Sequence, residues 1–208
     1  MSRREIRGGG RISKPRARRQ ENRKFLIVTE GTRTEPQYFE NFAALLNAKA
    51  VQVVKVKPVG IGRDPAAVVK EAERRRRAER NGGDPFDEVW CVVDVDRHET
   101  LPRACKEARD LGIDVAISAP CFEIWLLWHF EHRTGWIDGA ELKKLLGKRG
   151  FVDKNIPADF PYAAYATALT RAAKCEPIVY AHVPPNPSSS VPTLVHALVK
   201  AHRGGAGR

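Results

Sequence analysis

The chain contains few cysteines, no long hydrophobic run and no complete nucleotide-binding fingerprint. Its four cysteines in 208 residues have no CxxC spacing, which excludes a disulfide framework and a clustered zinc site. The longest apolar stretch, residues 124–130, is too short to cross a membrane. Gly60 and Gly62 lack the lysine and the spacing of a phosphate-binding loop, which argues against an NTPase. We therefore expect a reduced, cytoplasmic protein whose thiols pack as small apolar side chains.

The positive charge is concentrated at the start of the chain. Residues 1–24 hold ten Lys or Arg and two Glu, so this segment carries +8 of the net charge of +11. It is nearly free of apolar side chains, which predicts a basic disordered tail. No apolar segment follows the arginines, so the tail does not resemble a signal peptide. Two interpretations stay open for it, contact with nucleic-acid phosphates and a solubilising terminus.

Apolar strand patterns alternate with helical patterns over residues 25–133. Strands are predicted at 25–29, 51–56, 88–95 and 113–118, and helices at 35–48, 64–80, 101–111 and 120–132. This alternation is typical of an α/β domain with a parallel, doubly wound sheet flanked by helices. Residues 134–208 contain three further helical patterns, at 138–146, 162–174 and 193–201. We expect them to form a mainly helical C-terminal extension packed on the core.

Three carboxylates end two of the predicted strands. Glu30 follows the first strand, and Asp94 and Asp96 close the third. The carboxyl ends of parallel strands form the rim of the sheet where ligands bind, and residues two apart leave the same face while the strand persists. Hard oxygen donors favour Mg²⁺ or Mn²⁺ over zinc, which indicates phosphate chemistry. The alternative interpretation is that these acids are ordinary turn and cap residues.

Four segments carry a family resemblance. They are TEGTRTEPQYF (29–39), DVDRH (94–98), SAPCFEIWLLWHF (118–130) and NPSSSV (186–191). The acids after strands one and three resemble the Toprim domain of topoisomerases, primases and related nucleases. The four segments together resemble RloB-like proteins, a family associated with bacterial restriction and phage-defence loci. The resemblance implies a Toprim-like fold with a metal ion held by Glu30, Asp94 and Asp96, and with Glu30 as general acid or base.

Other residues near this predicted rim have both a functional and a structural interpretation. Arg33 can hold a phosphate oxygen or lie in solvent, and Glu35 can bind a cofactor or offset the dipole of its helix. His98 can act as proton shuttle, ligand or phosphate contact, or be a surface residue. Glu123 lies off the apolar stripe of its helix, so we expect it to face the rim as an auxiliary of the site. His129 lies on that stripe and is predicted to pack in the core.

The sequence supports a Mg²⁺-dependent nuclease in antiviral defence, acting on DNA or RNA. Two other hypotheses stay open. The same acidic rim can serve a non-catalytic module that binds metal and nucleotide or docks a partner, and the resemblance implies an ATPase from the same defence system as that partner. The third hypothesis is an abortive-infection RNase that cuts host RNA. No membrane association is expected, and the oligomeric state is left open.

Overall fold

A computed structural model describes residues 23–55, 64–95, 100–178 and 184–202. These residues form five strands: β1 (Phe25–Thr29), β2 (Val51–Lys55), β3 (Glu88–Asp94), β4 (Asp114–Ala119) and β5 (Ser188–Ser189). The α-helices are α1 (Thr34–Leu45), α2 (Pro65–Asn81), α3 (Leu101–Asp110), α4 (Glu123–Leu127), α5 (Gly139–Gly147), α6 (Tyr165–Ala172) and α7 (Val191–His202). A 3₁₀ turn at Tyr162–Ala164 precedes α6. The α/β class predicted from the sequence is confirmed.

The sheet has the order β2-β1-β3-β4-β5. The first four strands are parallel, and β5 pairs antiparallel with the end of β4. This mostly parallel arrangement is consistent with a Toprim-like fold. Strand order reverses between β1 and β3, because the chain first moves outward to β2 and then returns past β1. In open α/β sheets, ligands bind at the carboxyl ends of the strands beside such a reversal.

Successive residues of the central strands supply two separate hydrophobic clusters. Phe25 and Ile27 of β1 pack with α1, α4 and the helices of the C-terminal extension. Leu26 and Val28 pack with α2 and α3 on the opposite face. Side chains alternate between the two faces of a strand, so an all-apolar strand is expected where helices cover both. The first cluster also includes Leu142, Tyr165 and Leu198 of the extension, which therefore packs on the sheet as expected.

The local signals of the sequence account for most boundaries. Asp64 caps α2 by accepting a hydrogen bond from the Ala66 amide at 3.0 Å, with Pro65 in the first helical turn. The fourth predicted helix, 120–132, is much shorter in the structure. It is α-helical only over Glu123–Leu127, because the His129 and Phe130 amides bond three residues back, to the Leu126 and Leu127 carbonyls.

The extension reaches back to α1 through a short segment after α5. The Gln37 side chain donates to the Ile156 carbonyl at 3.1 Å and accepts from the Ile156 amide at 2.9 Å. At the amino end of β1, the rings of Phe25 and His202 have centroids 5.9 Å apart. The first strand therefore contacts the end of the last helix. Within the described ranges, none of the helices has the length and apolar character required to cross a membrane.

Candidate functional site

Glu30 and Asp94 lie on either side of the strand-order reversal. The Glu30 amide donates to the Val92 carbonyl at 3.0 Å, which extends the pairing of β1 with β3 by one residue. Its carboxylate Oε2 then accepts a hydrogen bond from the Asp94 amide at 3.4 Å. Glu30 is 7% exposed, so a charged group is held in a largely buried position at the rim. The Glu30 carboxylate therefore lies beside the backbone of the last residue of β3.

Gly31 allows a second carboxylate to reach the same rim. The side chain of Glu35, which is 6% exposed, lies against the Gly31 backbone where any larger residue would carry its Cβ atom. Thr29, fully buried, fixes the turn by donating from its hydroxyl to the Gly31 carbonyl at 2.8 Å. The short turn from β1 into α1 therefore places Glu35 in the site. Glu35 also lies in the first turn of α1, as its interpretation as a residue that offsets the helix dipole requires.

Asp94 is the electrostatic centre of the site. Burial is the main cause that raises the pKa of Asp94 well above its usual value. The negative charges of Glu35, Glu123 and Glu30 raise this pKa further, and the hydrogen bond from the Phe122 amide to Asp94 Oδ1, 2.9 Å long, opposes the rise. Four carboxylates from four separate segments are thus close enough to interact. We refer to Glu30, Glu35, Asp94 and Glu123 as the acidic cluster.

Glu123 enters the acidic cluster from the start of α4. It is partly buried at the first helical position, directly after the residue whose amide binds Asp94. The neighbouring Cys121 thiol interacts with it. Burial is the main cause that raises the pKa of Cys121, and the negative charges of Glu123 and Asp94 raise this pKa further. A thiol with a raised pKa stays protonated and is a poor ligand and nucleophile. Glu123 therefore lies near Asp94, at the start of the helix that follows β4.

Arg33 lies two residues before Glu35 in the chain. It is the residue before α1, its side chain is exposed, and its Nη1 donates to the Asp153 carbonyl at 3.3 Å. This contact joins the core to residues of the C-terminal extension. The sequence contains no motif that marks Asp153 or its neighbours as part of the site, so their position here comes only from the tertiary structure.

His129 belongs to the core, as the sequence indicated. Its Nδ1 lies 3.0 Å from the Trp125 carbonyl, which can only accept, so Nδ1 carries the proton and Nε2 accepts from the Tyr38 hydroxyl at 3.4 Å. Phe160 covers the ring at a centroid distance of 4.8 Å. Burial lowers the pKa of His129 to about 4. The imidazole is therefore a neutral packing residue at physiological pH.

Two predicted site residues, Asp96 and His98, lie outside the described residues. Strand β3 ends at Asp94, one residue before the predicted end. Within the described ranges, no group of three His, Cys, Asp or Glu side chains is close enough together to hold a metal ion. The donor chemistry of Glu30 and Asp94 nevertheless suits Mg²⁺ or Mn²⁺, because both offer hard carboxylate oxygens at a shared rim. The predicted ligand set includes Asp96 as its third member.

The remaining cysteines do not form a second site in the described part of the chain. All four thiols are free, and Cys91 of β3 and Cys105 of α3 are both buried in the hydrophobic cluster that contains Leu26 and Val28. Burial raises the pKa of both thiols, as expected for cysteines that act as small apolar residues.

Comparison with known proteins agrees with the resemblance carried by the motifs. The family model described as RloB-like protein matches residues 25–198, which include the whole described sheet and most of the extension. No curated protein and no solved structure matches the chain. The chain belongs to the RloB-like protein family.

Proposed function

We propose that this RloB-like protein is a Mg²⁺- or Mn²⁺-dependent nuclease that hydrolyses phosphodiester bonds of nucleic acid in bacterial antiviral defence. The observation that carries the proposal is the acidic cluster at the strand-order reversal. Glu35, Glu123 and Glu30 raise the pKa of Asp94. Placing carboxylates together in this way costs stability, and such arrangements are typical of sites that bind a cation or move protons.

Glu30, Asp94 and Asp96 would hold the ion, as the resemblance implies. A bound divalent ion would neutralise charge on the scissile phosphate and lower the pKa of a water molecule. The Asp94 amide fixes the Glu30 carboxylate at 3.4 Å, so Glu30 is oriented before substrate arrives. We assign Glu30 the additional role of general acid or base, since a carboxylate held at the rim can exchange a proton with the attacking or leaving oxygen.

Glu35 and Glu123 are assigned auxiliary roles. Both interact with Asp94 from helix starts, and both make the local field more negative, which favours the binding of a cation. In the same proposal, Arg33 binds a phosphate oxygen of the substrate and His98 acts as proton shuttle. The proposed partners are DNA or RNA and an ATPase from the same defence system, and the proposed location is the cytoplasm.

Calorimetric titration with MnCl₂ and MgCl₂ tests the metal-binding part of the proposal. Asp94→Asn preserves the acceptor oxygen for the Phe122 amide and removes the charge, so we expect it to lose most of the binding heat. The control is Asp110→Asn, which removes an exposed acid at the far end of α3, where Asp110 pairs with Lys106 at 2.9 Å. Equal heats for the wild type and Asp94→Asn would remove the metal site.

Cleavage assays on RNA and DNA panels test the catalytic part. We expect Mn²⁺-dependent cleavage that Glu30→Gln reduces by about 10²-fold or more, the usual loss for a general acid or base. Cleavage confined to RNA would favour the abortive-infection RNase. Metal binding without any cleavage, alone or with the partner ATPase, would favour the non-catalytic module.

A further inference from the structure

The tight turn at residues 152–155 has an unusual backbone. Asp153 and Lys154 both have positive φ angles, 49° and 65°, although neither is glycine. Positive φ at both central residues is the geometry of a type I′ β-turn, in which Asp is well tolerated and Lys is uncommon. Val152 and Asn155 close the turn as an isolated bridge, with the Asn155 amide donating to the Val152 carbonyl at 2.8 Å. The side chains of all four residues are exposed.

The contacts that hold this turn come from the segment that carries the acidic cluster. Arg33 Nη1 donates to the Asp153 carbonyl at 3.3 Å, and Thr34 Oγ1 donates to the Lys154 carbonyl at 2.9 Å. Glu35, the next residue along, is a member of the acidic cluster. Two hydrogen bonds therefore hold residues about 120 positions away in sequence beside the proposed active site.

We propose that Arg33 and Lys154 form a cationic lip that binds the backbone phosphates on either side of the scissile one. This inference rests on the proposed nuclease function. A polyanion approaching four carboxylates is repelled, so a site of this kind needs positive charge at its margin. Arg33 keeps guanidinium N–H groups beyond the one bound to Asp153, and Lys154 supplies an ammonium group on the adjoining turn. Such contacts position the strand without reading its sequence.

Asp153 lies in the same turn, and its substitution should change phosphate binding in the opposite direction to substitution of Lys154. Asp153 precedes Lys154 in the chain and its backbone carbonyl binds Arg33, so its exposed carboxylate belongs to the same turn as the proposed phosphate contacts. Removing its negative charge should therefore strengthen phosphate binding. Asparagine is the substitute of choice at 153 and 154, because it tolerates a positive φ and leaves the turn intact. Arginine at position 154 keeps the charge and serves as the rescuing variant.

The experiment is fluorescence anisotropy with labelled single-stranded RNA and DNA of about 20 nucleotides, longer than the ~4–16 nucleotides a single module typically covers. Ca²⁺ replaces Mg²⁺ to prevent cleavage, and NaCl is varied from about 50 to about 200 mM. We expect Lys154→Asn and Arg33→Gln each to weaken binding several-fold and to reduce the salt slope by about 0.7, the value for one lost phosphate contact on a single strand. Lys154→Arg should restore both, and Asp153→Asn should tighten binding. Lys143→Gln, an exposed lysine of α5, should change neither.

The inference would be overturned if Lys154→Asn and Arg33→Gln both bound with the affinity and salt slope of the wild type. It would also be overturned if the wild-type protein bound neither oligonucleotide. The Mn²⁺ titration separates this failure from failure of the nuclease proposal. If Asp94→Asn loses the Mn²⁺ heat while the lip variants bind nucleic acid normally, the metal site stands and the lip does not. Lys154→Asn should itself retain the full Mn²⁺ heat, because the lip contributes no ligand.

Discussion

The Glu35 carboxylate occupies the space that a side chain at Gly31 would need. Glycine is therefore required here for close approach, and its conformational freedom is not the reason. The contact between Gly31 and Glu35 lies in the short connection from β1 to α1. It determines which way the first turn of α1 faces, and so brings Glu35 to Asp94.

Substitution of Gly31 tests this relationship. In Gly31→Ala, we expect the Glu35 side chain to be displaced from the acidic cluster, with cleavage and Mn²⁺ affinity reduced by about 10-fold or more and a stability loss of about 1–3 kcal/mol from overpacking. Adding Gly31→Ala to Glu35→Ala should cost much less stability than adding it to the wild type, because the obstructing carboxylate is gone. Additive stability losses in this double-mutant cycle would contradict the close contact.

Removal of the central charge should stabilise the metal-free protein. Because the pKa of Asp94 is raised on folding, the folded protein binds this proton more tightly than the unfolded chain does. Stability is therefore lost as the pH rises through the raised pKa and Asp94 ionises. We expect Asp94→Asn to raise the melting temperature at neutral pH by ~2–4 °C, the shift that about 1 kcal/mol produces in a domain of this size. A melting temperature below that of the Asp110→Asn control would contradict the prediction.

Acid should destabilise the protein through His129. The folded-state pKa is lowered to about 4 from 6.5, so between these values the unfolded chain binds more protons. The contribution of this group to stability is complete above pH 6.5 and decreases by about 3 kcal/mol as the pH falls to 4. Urea titrations across this range should show a flatter pH profile for His129→Gln, whereas His132→Gln, at an exposed position, should follow the wild type.

Gln37 should be required for docking of the extension onto α1. Gln37→Ala leaves the Ile156 amide and carbonyl without their side-chain partner, which should cost about 1–3 kcal/mol. Chemical denaturation measures this loss, and limited proteolysis should show faster cleavage within residues 151–156. Gln52→Ala, at an exposed position of β2, is the matched control. Unchanged proteolysis in Gln37→Ala would mean that the apolar packing of the extension holds this segment without the hydrogen bonds.

Much of the architecture could be predicted from the sequence because its signals are local. The apolar run Phe25–Thr29 predicts a strand covered on both faces, and Asp64 with Pro65 predicts a helix start; both are present. Strand β5 could not be predicted, because Ser188 and Ser189 carry no apolar pattern. Their pairing with Ser118 and Ala119 joins residues about 70 positions apart and is set by the tertiary structure.

The candidate site likewise has one part that could be predicted from the sequence and one part that could not. Glu30 and Asp94 end strands whose pairing places them together, so their proximity follows from the pattern of acids after apolar runs. The inward position of Glu35 depends on its close approach to Gly31. The helical periodicity of the sequence does not predict such a contact. Lys154 lies in a turn whose hydrogen-bonding partner, Thr34, is 120 residues earlier in the chain. Separations of this kind are set by the whole tertiary structure.

The contact between the Phe25 and His202 rings has a practical consequence for work on this protein. It brings residues 25 and 202 together at the amino end of β1, and the five residues of β1 separate this end from the carboxylates by about 17 Å at ~3.3 Å per residue. A fluorescent label attached at position 202 therefore lies on the side of the molecule away from Asp94. Coupling the protein to a surface through position 202 should likewise leave the rim open to solution.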